Sequence, residues 1–163
     1  MYVLDTNTLI YYFKGQGQVA QNLKSVSPQE IGVSTIVLFE LQVGIAKSSS
    51  PAKRTQQLQQ LLSRVNLFPF DRDAALAAAT IRAQLEQQGT PIGSMDVLIA
   101  GTAVSLQATL VTHNVNEFSL SCGTCDCGLV LTNQRSHSQL GEIGKVREAK
   151  LSPRESHWLS ASA

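Results

Sequence analysis

The chain has 163 residues, of which 43% are hydrophobic and 15% charged. That length and balance suit one compact domain with a substantial core and exclude a disordered chain. The net charge is +1, and residues 1–118 carry eight basic and eight acidic side chains, so no global field draws the protein to nucleic acid, and any such contact rests on a local basic patch.

The start, Met1-Tyr-Val-Leu4, has no basic segment and runs straight into Asp5. No stretch approaches the roughly 18 apolar residues of a membrane span. The expected place is the cytosol, without membrane contact. Tyr2-Val-Leu4 itself reads as a short buried strand. A helix is expected from Thr6 to about Lys14, broken by Gly15 and Gly17, and another from Gln18 to Val26, stopped by Ser27-Pro28. Ile31-Gly-Val-Ser34 is a second strand, and Thr35 to Ala46 a helix ended by Ser48-Ser-Ser-Pro51. Leu58, Leu61, Leu62 and Val65 give residues 52–65 the rhythm of an amphipathic helix. Asn66 to Phe70 suits a third strand. Asp71 opens an alanine-rich helix that reaches Gln88 and is closed by Gly89; Ser94 begins another, and Ala108 to Thr112 is a fourth strand.

Strands that alternate with helices predict an α/β fold whose mostly parallel sheet is covered on both faces. In such sheets the ligand site lies beyond the carboxyl ends of the strands, where Asp5 and Asn114 would fall. After Phe118 the sequence becomes rich in Ser, Gly and charge. Gly128 to Thr132 is a candidate last strand. Residues 133–163 are expected to form a poorly ordered extension, with a weak helix near 142–151, beyond a domain spanning 1–132.

Three carboxylates stand out. Glu40 is the only charge in Thr35-Ile-Val-Leu-Phe-Glu-Leu-Gln-Val-Gly-Ile-Ala46, Asp96 is alone in Met95-Asp-Val-Leu-Ile-Ala-Gly-Thr-Ala103, and Asp5 closes an apolar strand. A lone buried carboxylate is strongly disfavoured, so each should meet a cation, a metal or water. Each also has a plain structural reading. Asp5 would cap the helix after it, Asp96 would sit at the positive end of a helix capped by Ser94, and Glu40 would face solvent. One chemistry explains all three together. Phosphodiester hydrolysis needs an activated water and relief of charge on the phosphoryl oxygens, and a hard divalent cation held by carboxylates supplies both.

Four segments, in order, resemble the motifs of PIN-domain ribonucleases of the VapC toxin type: Val3-Leu-Asp-Thr-Asn7, Ser34-Thr-Ile-Val-Leu-Phe-Glu-Leu41, Thr90-Pro-Ile-Gly-Ser-Met-Asp-Val-Leu-Ile-Ala100 and Leu110-Val-Thr-His-Asn-Val-Asn-Glu-Phe118. The match covers residues 1–118, about three quarters of the chain. The resemblance implies a three-layer α/β/α fold. It also implies an endoribonuclease that uses Mg²⁺ or Mn²⁺, forms homodimers, arrests growth as a toxin and is silenced by a small antitoxin. Asp5, Glu40 and Asp96 match the acidic triad, Asp5 and Asp96 holding the ion and Glu40 a water or a second ion. Thr6 and Asn7 match residues that orient the first carboxylate. The fourth acidic position falls on Asn114, which carries no charge, and Glu117 stands three residues on as a substitute.

The rival reading is a PIN-like module that binds antitoxin but has lost activity, motivated by Asn114 and the unusual extension. A phosphatase with Asp5 as nucleophile would need a second aspartate where Asn7 stands. Cys122, Cys125 and Cys127, with His137, match no usual zinc spacing and are read as free thiols. His113 is read as exposed or facing RNA. Lys14, Lys47, Arg54 and Arg82 are candidates for phosphate contacts.

Overall fold

Five short strands, all parallel, form a single sheet in the order β3-β2-β1-β4-β5. They are β1 (Tyr2–Leu4), β2 (Ile31–Ser34), β3 (Asn66–Phe68), β4 (Thr109–Val111) and β5 (Leu131–Thr132). The computed structural model describes residues 1–112 and 131–132. The expected extension 133–163, like His113, Asn114, Glu117, Cys122, Cys125, Cys127 and His137, lies outside the described residues.

Six helices connect the first four strands: α1 (Thr6–Lys14), α2 (Val19–Lys24), α3 (Thr35–Ala46), α4 (Pro51–Leu62), α5 (Arg72–Gln87) and α6 (Ser94–Ser105). Each element expected within residues 1–112 is present, with ends that differ by at most three residues, and the helix expected near 142–151 lies outside the described residues. Gly15 closes α1 in the left-handed conformation at φ 63°, which glycine adopts without penalty. Asp71 caps α5 by accepting from the Ala74 amide at 2.9 Å. A 3-10 turn at Pro28–Glu30 leads into β2, where the sequence predicts only a break at Ser27-Pro28. At α6 the cap is Gly93, and Ser94 is already helical. The expected Ser94 cap is therefore corrected by one residue.

Parallel strands buried on both faces need unbroken apolar runs, and Val3, Leu4, Val33 and Leu110 are fully buried. The connections β1 to β2 and β2 to β3 step one way across the sheet. The connection from β3 to β4 steps back over β2 and β1. Right-handed crossovers then put the first set of helices on one face and α5 with α6 on the other, giving three layers. Val97, Ile99, Ala100, Gly101, Thr102 and Ala103 of α6 are all buried. A helix covered on nearly every side carries no polar stripe. No described helix is long and apolar enough to cross a membrane.

The tightest helix contact joins α5 to α6. A methyl group on Gly101 would come within 2.6 Å of the Ala74 carbonyl oxygen and the Ala78 Cβ and 2.7 Å of the Ala78 amide nitrogen. Backbone cannot yield as a side-chain tip can, so Gly101→Ala should force the helices apart at a cost of about 1–3 kcal/mol. Thermal melting checks this: the variant should melt several degrees below the parent, and an unchanged midpoint would contradict the packing.

Candidate active site

Where a parallel sheet reverses the direction of its winding, the flanking connections leave a crevice at the carboxyl ends of the strands. In this order the reversal falls between β1 and β4. Leu4 is level with both Val33 of β2 and Val111 of β4, so the next residues, Asp5, Ser34 and Thr112, share the carboxyl edge. All three are buried, Asp5 at 2% exposure and the other two at 0%. With Thr8 they make up four of the five buried polar residues among those described.

Asp5 follows β1 without a loop and caps α1. Its Oδ1 accepts from the Thr8 amide at 2.6 Å, and its Oδ2 accepts from the Thr112 hydroxyl at 2.6 Å. The Asp5 amide donates to the Val111 carbonyl at 3.1 Å, and the Thr8 hydroxyl donates to the same oxygen at 3.2 Å. Two of these hydrogen bonds fix the carboxylate, and the other two help lace the end of β1 and the start of α1 to the end of β4. The capping reading of Asp5 is accurate but incomplete, because a simple cap would not be buried. No ion pair compensates Asp5 among the described residues.

Glu40 lies half-buried on α3, which Ser34 starts by accepting from the Val37 amide at 3.2 Å. Its Oε2 accepts from the Thr6 hydroxyl at 2.5 Å. Thr6, matched by resemblance to a residue that orients Asp5, instead holds Glu40. Asn7 is exposed, and both carboxylate oxygens of Asp5 take their bonds from Thr8 and Thr112. Asp96 stands in the first turn of α6, half-buried. Its carboxylate curls back over the helix start, since a Cβ on Gly93 would meet Asp96 Oδ2 at 2.6 Å. The helix α6 precedes β4 and runs against it, so its beginning faces the carboxyl edge. Contact between α3 and α6 sets the helix bearing Glu40 against the one bearing Asp96. The starts of α1, α3 and α6 all point to this edge, and their partial positive charges favour anions there.

Thr8 and Thr112 were not singled out from sequence. A threonine one turn past Asp5 is an unremarkable cap partner, and nothing near Thr112 marks a link across 107 positions. Of the four basic candidates, Lys14 and Arg54 line a cleft of about 240 Å³ between α1, α3 and α4, together with Phe13, Glu40 and Ile45. Arg82 pairs instead with Glu86 at 2.8 Å on α5.

Among the described residues no three His, Cys, Asp or Glu side chains stand close enough together to hold a metal ion between them. The donor chemistry nonetheless fits a hard divalent cation. Among the described residues, each Asp5 oxygen accepts from one neutral donor and the buried charge has no cationic partner. Mg²⁺ keeps several waters and needs only one or two direct carboxylates.

The PIN domain model matches residues 2–119. Ribonuclease VapC2 of Rickettsia felis is 38% identical over 120 residues, covering 72% of this chain and 90% of that protein. The tRNA(fMet)-specific endonuclease VapC of Salmonella typhimurium is 34% identical over 117 residues, covering 72% and 89%. A solved structure of VapBC2 from Rickettsia felis, bound to a DNA fragment from its promoter, superposes with a TM-score of 0.73 at 35% identity over 81% of this chain and 97% of that one. The chain belongs to the PIN-domain family, among the VapC ribonucleases.

Gly93 has φ −55° and ψ 142°, a conformation open to any residue, so alanine there should fold while displacing the Asp96 carboxylate. Gly93→Ala should melt within a few degrees of the parent yet lose about ten- to a hundredfold in nuclease rate. Full activity in that variant would mean that Asp96 is not needed where the structure puts it.

Proposed function

We propose that this chain is a metal-dependent endoribonuclease that acts in the cytosol as the toxin of a toxin–antitoxin pair. The observation that carries the reading is the buried carboxylate of Asp5, without a cationic partner among the described residues and held from both sides at the winding reversal of a PIN-domain sheet. Asp5 and Asp96 would hold Mg²⁺ or Mn²⁺, which supplies charge relief on the phosphoryl oxygens and activates water when bound. Glu40, fixed by the Thr6 hydroxyl, orients the attacking water. Lys14 and Arg54 supply the local positive charge that a chain of net +1 needs to meet a phosphate backbone. Asn114 and Glu117 are proposed as polar supports of the same site, one or the other completing it.

The solved neighbours include a toxin–antitoxin complex from Klebsiella pneumoniae, and a small antitoxin is the proposed inhibitor here. Its arginine would find the acidic edge a ready bidentate partner. A homodimer is proposed as the working form. Phe39 at 55% exposure and Val43 at 36%, one turn apart on α3, give apolar surface for a second copy to cover. Light scattering of Phe39→Glu checks this: a monomer is expected, and a persisting dimer would place the interface elsewhere.

Ribonuclease assays on the purified protein test the activity, with initiator tRNA as first substrate because the Salmonella relative is named for it. Cleavage should require Mg²⁺ or Mn²⁺. Asp5→Asn and Asp96→Asn should each lower it by more than about a hundredfold. Asparagine caps helices as well as aspartate does, so Asp5→Asn should stay folded. Metal a hundredfold above its dissociation constant should stabilise the wild type by about 2.7 kcal/mol, and the double mutant should lose that gain. Wild-type rates in both single mutants would sink the assignment. Antitoxin binding without any metal-dependent cleavage would favour the inactive module suggested by Asn114.

A further inference from the structure

We infer that Thr112 is a positioning residue for the metal-binding carboxylate, a role that rests on the nuclease reading above. A carboxylate bound at one oxygen can still turn about its last torsion. The Thr8 amide grips Asp5 Oδ1 from the start of α1, and the Thr112 hydroxyl grips Oδ2 from the end of β4. Two donors on two oxygens, carried by two different elements, fix the plane of the group.

Thr112 is itself anchored. Its neighbour Val111 accepts from both the Asp5 amide and the Thr8 hydroxyl, and Thr112 has no exposed surface. A hydroxyl that donates to an ionised oxygen makes a short, charge-assisted bond, and 2.6 Å fits that description. Donation also leaves each Asp5 oxygen one acceptor direction, so the same bond that orients the group leaves room for a cation. Groups that orient metal ligands in this way typically change affinity or activity by 10–100-fold when removed.

The test uses the full chain and Mn²⁺ as probe, with calorimetric titration beside the RNA-cleavage rate at saturating metal. Thr112→Val removes the hydroxyl at nearly constant volume and should weaken Mn²⁺ binding by about 10–100-fold, with a comparable loss of rate. Thr112→Ser keeps the hydroxyl and loses a methyl; it should melt lower yet bind Mn²⁺ within about threefold of wild type. Thr102→Val removes another buried hydroxyl, one that bonds the Leu98 carbonyl within α6, and should lower stability alone. Wild-type affinity and rate in Thr112→Val would overturn the inference, as would a serine variant as defective as the valine one. Should Thr112→Val fail to fold, the serine variant decides: retained affinity supports the role, and lost affinity overturns it. A wild-type protein that binds no Mn²⁺ would overturn the nuclease reading and this inference with it, whereas failure of Thr112→Val alone leaves that reading standing.

Discussion

The negative charge buried at Asp5 is the constraint on which the rest of this structure depends. Burying an ion without a partner is costly, and the chain meets that cost with polar contacts drawn from the ends of two strands and the start of a helix. The contacts to Val111 and Thr112 could not form if β1 and β4 were not neighbours, and the Thr8 amide could not reach Asp5 if α1 began even one residue later. The pairing of β1 with β4 is therefore as much a device for holding a carboxylate as a piece of core. Two neutral donors orient the charge but do not cancel it. Among the described residues that charge meets no cationic side chain, and the proposed metal would supply one.

The same edge gathers its groups by the economy of its connections. Asp5 and Ser34 each end a strand and cap a helix with no loop between, so α1 and α3 leave the sheet at fixed angles. Thr6 then lies in the first turn of α1 and reaches Glu40 in the second turn of α3. Side chains within the first two turns of helices rooted in a sheet have little freedom to wander. This is how short strands of two to four residues can support a defined site, and it is why the acidic groups sit on helices rather than on loops.

Much of this was legible in the sequence, for identifiable reasons. Strands buried on both faces leave continuous apolar runs, and Gly15, Pro51 and Asp71 mark helix ends by stereochemistry that does not depend on tertiary context. Asp5, Glu40 and Asp96 stood out because a charge in an apolar run has few explanations. What stayed hidden was relational. Thr112 bonds a residue 107 positions away, and threonine is too common in strands to signal such a bond. Thr6 bonds Glu40, while the two Asp5 oxygens take their donors from Thr8 and Thr112. The cap of α6 fell on Gly93 because Asp96 needs the space that a side chain there would fill, which no reading of propensities at Ser94 could reveal.

The place of β1 in the sheet has a consequence for synthesis. The central strand β1 leaves the ribosome well before its neighbour β4, which is encoded more than a hundred residues later. Until Thr112 has emerged, a nascent chain has an Asp5 with nothing across from it and a sheet open on one side. Pairing across such a span closes slowly and late. A growing chain of this topology therefore carries its carboxylates past the translation machinery while they are still unassembled, and only a chain extended beyond Thr112 can fix Asp5 in the orientation seen here.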